Sequence, residues 1–218
     1  MQKKLLIMKK LVLFLIAIIM MVPCVEADAQ SKALIKERKK EYKAKMKEYK
    51  KEKWDLFGSS RTLEVALLTH YDKLNSLGED GHEVVGIAAK FQSKNVGKQM
   101  AINNACVTYA QEAGSHVKGR VVSDMAGDGI EVGAEFDHFY AAYERLVEKE
   151  IKGEMQESYA IIRELGKGYY EMQVYYIVSE SAASKARIRA LENAAKESAA
   201  AQAYANKVSD FVREGFQE

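Results

Sequence analysis

The 218-residue chain is short of cysteine and proline, with two cysteines and one proline beside 14 glycines. Cys106 is the only cysteine after residue 29, so that part of the chain has no internal disulfide and must be stabilised by packing. Cys106 lies among apolar residues, which predicts a buried, unreactive thiol. The scarcity of proline argues against a disordered or low-complexity chain.

Familiar catalytic motifs are also missing. The sequence has no Gly-x-Ser-x-Gly elbow, no phosphate-cradling glycine loop and no repeat of solenoid length. Its four histidines, His70, His82, His116 and His138, are scattered without metal-ligand spacing. A pairing of Cys106 with a distant histidine has no spacing to support it. We therefore predict a non-enzymatic protein with no catalytic, cofactor-binding or metal-binding residues and no identified small-molecule substrate.

The first 29 residues have the layout of a secretory signal. Two Lys-Lys pairs precede an apolar run over residues 11–22, and Ala27-Asp28-Ala29 supplies the small residues of a cleavage site. The run has about a dozen residues, whereas a bilayer span needs roughly 20. We expect translation to start at Met1 or Met8, and cleavage after Ala29.

Two alternatives to simple cleavage stay open. One is an uncleaved membrane anchor, and the other is acylation of Cys24, although the preceding Pro23 departs from the small residue that lipoprotein signals have there. With cleavage after Ala29 or acylation of Cys24, the sequence predicts a protein of the periplasm or one associated with the outer membrane. That compartment excludes nucleic acid as a partner.

Charge is distributed unevenly after the signal. Residues 31–54 carry eleven basic and four acidic side chains, net +7, and residues 55–218 carry 18 basic and 25 acidic ones, net −7. The segment 30–57 is predicted as a basic helical arm with a narrow stripe that includes Tyr42 and Tyr49, ending near Gly58. Residues 31–54 could bind an anionic membrane surface or an envelope protein. Alternatively, they form a solvated spacer whose tyrosines dock on the chain's own domain.

Residues 58–218 are predicted as one α+β domain. We expect a short antiparallel sheet of about four strands with helices on one face, between the long basic N-terminal helix and a long Ala-rich C-terminal helix. The clearest signal is a hairpin of two β-prone runs, 155–165 and 169–178, joined at Gly166-Lys167-Gly168. The remaining predicted elements are a helix after Ser59 or Ser60, a turn at 78–81, a strand at 82–92, a helix at 95–113 ending at Gly114, a strand at 116–123, a helix at 136–151 and a helix from about 180 to 216.

Three groups of polar residues are candidate metal sites. Glu135 and His138 have the Glu-x-x-His spacing that places two side chains on one helix face, and Glu79 and His82 repeat it in a turn. The third group, near two glycines, is Asp124, Asp128 and Glu131. A solvated surface explains each group more simply. The pair in the turn cannot supply the same geometry. The alternative is a periplasmic ligand-binding protein or metal-dependent enzyme that uses the loop at Asp124–Glu131 and the helix at Glu135–His138.

The hairpin is rich in tyrosine. Tyr169, Tyr170, Tyr175 and Tyr176 fall on both faces of its second strand. One face is predicted to be core, and the other is a candidate protein interface because tyrosine is enriched at interfaces.

The order of these elements resembles a group of exported Bacteroidetes proteins of unknown function. The stretches that carry the resemblance are YKKEKWDLFGSS, RTLEVALLTHYDKL, HEVVGIAAKF, VGKQMAINNACVTYAQEAGSHV and MQESYAIIRELGKGYYEMQVYYIVS. Their globular part is similar to the domain of the twenty-kilodalton surface lipoprotein family. The resemblance implies an envelope location and a helix-backed sheet, and no site residues come with it. Together with the signal, it predicts an exported envelope protein that acts through protein or surface contacts.

Overall fold

The computed structural model describes residues 23–127 and 134–196. It has the predicted α+β class, with an antiparallel four-stranded sheet in the order β1-β3-β4-β2. The elements are α1 (Pro23–Glu52), β1 (Asp55–Phe57), α2 (Leu63–Leu77), a 3-10 turn (Gly78–Asp80), β2 (Gly81–Phe91), α3 (Lys94–Gly127), α4 (Ala134–Ile151), β3 (Gln156–Gly166), β4 (Tyr169–Ser179) and α5 (Glu180–Ala195). The predicted signal run over residues 11–22 lies outside the described residues, as does the predicted C-terminal helix beyond residue 196.

The described chain falls into two compact units, one ending at Lys45 and the other beginning at Met46. In the first unit, residues 32–45 are helical and mostly exposed. The second unit contains the whole sheet and the helices that pack on it. No helix in the described ranges is long and apolar enough to cross a bilayer.

The predicted β3–β4 hairpin is confirmed, and its turn explains why it was predictable. Lys167 and Gly168 both adopt positive φ, at 55° and 75°. Two consecutive positive φ values are typical of the two-residue turns whose twist matches that of a hairpin. Gly166 pairs with Tyr169 at the turn, and the two strands then run together to Gln156 and Ile177.

Helices cover both faces of the sheet, whereas the sequence predicted helices on one face. Side chains alternate between faces along each strand, so Val174 and Tyr176 join the main core with α3, α4 and α5. Tyr175 and Ile177 point the opposite way, and they are buried outside that core. The second face is covered by α2, which packs on β2 and β3, and by the C-terminal turn of α1. The fold is therefore a three-layer arrangement.

Gly86 allows α3 to lie directly on the sheet. A Cβ atom at Gly86 would lie 1.9 Å from the carbonyl oxygen of Ala101 and 2.9 Å from the Cβ of Ala105. Both alanines are fully buried on α3, and the absence of a side chain at position 86 is what permits this approach.

The strand predicted at 116–123 is wrong, because helix α3 continues to Gly127. The β-branched Val117, Val121 and Val122 favour a strand locally, but Ala110, Ala113 and Val117 follow helical spacing and are buried. Burial against α4 thus outweighs local propensity. Gly114, predicted to end this helix, lies inside it at a contact with Glu144 of α4.

The fourth strand is β1, which the sequence analysis placed inside the first helix. Helix α1 ends at Glu52 because Lys53 has a positive φ of 58°, and the Trp54 N–H donates to the Tyr49 carbonyl, 2.9 Å away. Leu56 then pairs with Ile161 of β3. Three residues are too few to show a strand period in the sequence.

Candidate functional site

A buried polar cluster lies between α2 and the second face of the sheet. Its centre is His70, whose side chain is 0% exposed. Helix α2 begins at an N-cap in which the Thr62 hydroxyl accepts from the Val65 N–H. His70 is three residues after Leu67 and four before Leu74, so it occupies the apolar side of α2 that faces the sheet.

The two ring nitrogens of His70 meet a hydroxyl and a carboxylate. Nδ1 lies 3.0 Å from the Oγ of Ser158 on β3. Nε2 lies 2.5 Å from Oε2 of Glu83 on β2, an ion-pair distance without the alignment of a hydrogen bond. Tyr71 and Tyr159 contact the imidazole edge to face, with centroids at 5.3 and 5.2 Å. We call Ser158, His70 and Glu83 the His70 cluster.

A β-bulge brings Ser158 to this position. Glu157 pairs with Tyr176 and Tyr159 with Tyr175, so Ser158 is the extra residue between two consecutive pairs. A bulge of this kind changes the direction of a side chain at one point in a strand. Here it places the Ser158 hydroxyl on the face that α2 covers.

A chain of tyrosine hydroxyls lies beside the His70 cluster. Tyr49 donates to Tyr175 over 2.8 Å, and Tyr175 donates to Gln173 over 2.6 Å. Tyr159 lies 3.2 Å from Tyr49 and therefore donates to it, since Tyr49 has already given its one proton. Burial raises the pKa of Tyr159, and it also raises that of Tyr49 despite the two hydrogen bonds. These hydroxyls stay protonated and join α1 to the sheet.

A second polar network fastens α5 to the main core. Arg187 is 2% exposed, donates to the Tyr109 hydroxyl over 2.7 Å and pairs with Glu180. The other carboxylate oxygen of Glu180 lies 3.2 Å from Nε2 of His82. Burial raises the pKa of Glu180, but its bonds with His82 and Arg187 outweigh this and leave the pKa below the ordinary value. The carboxylate is therefore held ionised.

The exposed helix of the first unit carries a face of lysines. At 100° per residue, Lys32, Lys36, Lys39, Lys40 and Lys43 fall within about 100° of its circumference. All five are exposed. We call them the lysine face.

Other side chains occupy the rest of this helix. Glu37 and Glu41 lie outside the sector of the lysine face. Ile35 and Tyr42 lie together on a third side of the helix. Ile35 is 45% exposed. Glu37 nevertheless reaches the edge of the face, since its Oε1 lies 2.7 Å from Nζ of Lys40. The lysine face therefore has five lysines, of which Lys40 is paired with a carboxylate, and it has no broad apolar side next to it.

The structure describes the side chains of three residues considered as metal ligands, and it does not place these three in one metal-binding group. His138 is exposed on α4, and the side chain of Glu135 lies outside the described part, as do those of Asp124, Asp128 and Glu131. Glu79 belongs to the 3-10 turn, and His82 of β2 turns instead to Glu180. Within the described ranges, no group of three or more His, Cys, Asp or Glu could hold a metal ion.

The structure buries two of the four hairpin tyrosines and the Cys106 thiol. Tyr175 and Tyr176 are both buried, so neither contributes to the exposed interface considered from the sequence. Tyr170 is half-buried and stacks on Phe91, with centroids 6.2 Å apart. Cys106 is 2% exposed and burial raises its pKa, so the predicted burial of the thiol is confirmed.

No local sequence pattern predicted the His70 cluster. Ser158 and Glu83 come from strands 75 positions apart, and their meeting depends on the strand order and the bulge. One signal was available, namely a histidine on the apolar stripe of a predicted helix. That position predicts a buried imidazole, and a buried imidazole needs polar partners.

Comparison with protein-family models found no match, and comparisons with curated proteins and with solved structures found none either. The resemblance to the twenty-kilodalton surface lipoprotein family therefore stays a prediction from the sequence.

Proposed function

We propose that this chain is an exported envelope protein that works through contacts, and that its lysine face meets an anionic membrane surface. The observation that carries the proposal is the lysine face, five exposed lysines within one sector of a helix. The secretory layout of residues 1–29 supports the compartment, and phospholipid headgroups supply the complementary charge there.

The chemistry of the helix favours attachment at the surface over insertion. Membrane-inserting amphipathic helices have a broad apolar face, and this one has only the narrow direction of Ile35 and Tyr42. Each lysine close to an anionic bilayer contributes about 1 kcal/mol, and salt screens that contribution. Binding should therefore be moderate and should weaken steeply as salt rises.

Sedimentation with lipid vesicles tests this proposal. The chain from Gln30 onward should pellet with vesicles that contain phosphatidylglycerol at low salt, and should stay in solution with neutral phosphatidylcholine vesicles or at high salt. Removing three charges of the face by Lys36→Gln, Lys39→Gln and Lys43→Gln should weaken binding by on the order of 100-fold, at about 1 kcal/mol per lysine.

A matched variant controls for net charge. Lys73→Gln, Lys152→Gln and Lys167→Gln also remove three exposed lysines, all from outside the face. This control should bind nearly as well as the unchanged chain. Equal weakening in the two triple variants would mean that net charge and not the lysine face drives binding, and failure to bind anionic vesicles at low salt would refute the membrane assignment.

The compartment has its own test. Mass spectrometry of the protein from a cell envelope fraction should find an N-terminus at Gln30. A mature chain that begins at an acylated Cys24 would replace the cleavage prediction and add a lipid anchor to the charge contact. Full-length protein that stays in the cytosol with residues 1–29 intact would remove the envelope location from the proposal.

A further inference from the structure

We propose that Ser158 is a nucleophile activated by His70, with Glu83 as the positioning residue, and that the protein transfers acyl groups from ester substrates to water. This inference is independent of the lysine face. It adds a chemical activity to a chain whose sequence shows no catalytic motif.

The order of the three groups is the first support. Serine hydrolases place the serine hydroxyl at Nε2 of a histidine and a carboxylate at Nδ1, and they are recognised by this geometry and not by sequence position. The His70 cluster has the same three groups with the two ring nitrogens exchanged. In the His70 cluster the Ser158 hydroxyl lies 3.0 Å from Nδ1, and the Glu83 carboxylate lies 2.5 Å from Nε2. The carboxylate is close enough to stabilise an imidazolium that forms when the hydroxyl gives up its proton.

The local backbone is the second support. Ser158 is the extra residue of a bulge in β3, and bulges are frequent beside active sites because they redirect one side chain. The residues on either side, Glu157 and Tyr159, keep their pairing with β4. The bulge thus changes the position of one serine and leaves the sheet intact.

The three side chains of the His70 cluster differ in their exposure to solvent. The imidazole of His70 is shielded from solvent, whereas Ser158 is half-buried and the Glu83 side chain is 24% exposed. The exposed Arg61 donates from Nη2 to the Ser158 carbonyl over 3.4 Å, which places a cation next to the serine. A positive group there can stabilise the negative oxygen of a tetrahedral intermediate, and it favours esters that carry a negative charge.

The proposed step is a two-stage transfer. Ser158 Oγ forms a bond to the acyl carbon while its proton moves to His70 Nδ1, and the bond from that carbon to the ester oxygen breaks. The alcohol leaves with the proton from His70. Water then attacks the acyl carbon and gives a proton to His70. The bond from that carbon to Ser158 Oγ breaks, and His70 returns the proton to Oγ, which releases the carboxylic acid and restores the Ser158 hydroxyl.

A fluorophosphonate probe tests for the activated serine. The intact chain from Gln30 onward should gain one phosphonyl group with loss of fluoride, and peptide mapping should locate it at Ser158. Ser158→Ala should abolish labelling, and Ser181→Ala, which changes a serine outside the cluster, should leave it unchanged. Labelling that maps to other serines, or that is absent from folded protein, would overturn the proposal.

Two further variants separate a chemical role from a structural one. His70→Gln should lower the labelling rate by on the order of 100-fold, because proton removal by a positioned base contributes at least that much. If that variant does not fold, Glu83→Gln takes its place, since Glu83 is partly exposed. Glu83→Gln should slow labelling, because the imidazolium that forms loses a neighbouring negative charge, and Glu83→Asp, which keeps that charge, should retain most of the rate. An unchanged rate in folded Glu83→Gln protein, or equal slowing in Glu83→Gln and Glu83→Asp, would exclude activation through His70.

Discussion

The contact between Gly86 and helix α3 leads to a quantitative prediction. In Gly86→Ala, the new Cβ would lie 1.9 Å from the Ala101 carbonyl oxygen and 2.8 Å from the carbonyl carbon. Both atoms belong to the helix backbone, so no rotamer change can relieve the overlap. Strand and helix must separate by about 1.5 Å to restore ordinary contact distances.

The loss of stability in Gly86→Ala can be estimated from the free energy that overpacking a core costs. Extra methyl groups in packed cores cost about 1–3 kcal/mol, and a clash with backbone belongs at the upper end of that range. A loss of about 3 kcal/mol in the free energy of unfolding would lower the melting temperature by about 6–12 °C in a domain of this size. Urea denaturation followed by circular dichroism at 222 nm measures the free energy of unfolding directly.

Gly119→Ala is the matched control. Gly119 lies in the same helix, and a Cβ there would have no neighbour within 4 Å. Replacing an unstrained helical glycine with alanine should stabilise the protein by about 0.5–1 kcal/mol, so the two variants should shift stability in opposite directions. Ala105→Gly should not rescue Gly86→Ala, because the tighter overlap is with the carbonyl of Ala101. Gly86→Ala protein with the stability of the unchanged chain would refute the close packing of α3 on β2.

Three further predictions concern buried polar groups. Tyr49→Phe removes the hydroxyl between Tyr159 and Tyr175 and should lower the free energy of unfolding by about 1–2 kcal/mol in urea denaturation, with no loss if those bonds are absent. Glu180 has a lowered pKa, so its contribution is present above the ordinary carboxyl pKa and is lost as pH falls through the folded value. Glu180→Gln should therefore cost about 2 kcal/mol at neutral pH and much less at pH 3, and an equal cost at both would contradict the ion pair with Arg187. The Cys106 thiol should resist iodoacetamide until the protein unfolds, and rapid alkylation of folded protein would show that it is accessible.

The parts of the fold that the sequence predicted depend on short-range chemistry. The hairpin was predictable because positive-φ turn residues separate two β-prone runs, and α4 because its aromatic residues repeat at helical spacing. The missed parts depend on partners distant in sequence. Helix α3 extends through a valine-rich segment because α4 buries one side of it, and β1 exists because three residues find an edge of β3.

The lysine face and the His70 cluster differ in the same way, because one depends on local sequence and the other on contacts between distant residues. The lysine face follows from a helix prediction and the positions of its lysines, so it depends on local sequence alone. The His70 cluster requires α2 to cover the second face of the sheet, β2 and β3 to lie on either side of β4, and a bulge at one residue. None of these three conditions leaves a local pattern in the sequence.

Replacing all three polar side chains of the His70 cluster tests its chemical role separately from its contribution to stability. A buried polar group with partners adds little net stability, and well-packed apolar side chains of similar volume are often equal or better. We therefore expect the combined variant His70→Leu, Ser158→Ala and Glu83→Met to stay folded and to be at least as stable as the unchanged chain, while it loses all reaction with the fluorophosphonate probe. Urea denaturation with circular dichroism measures this stability, and a markedly less stable triple variant would show that the polar contacts of the cluster hold α2 on the sheet.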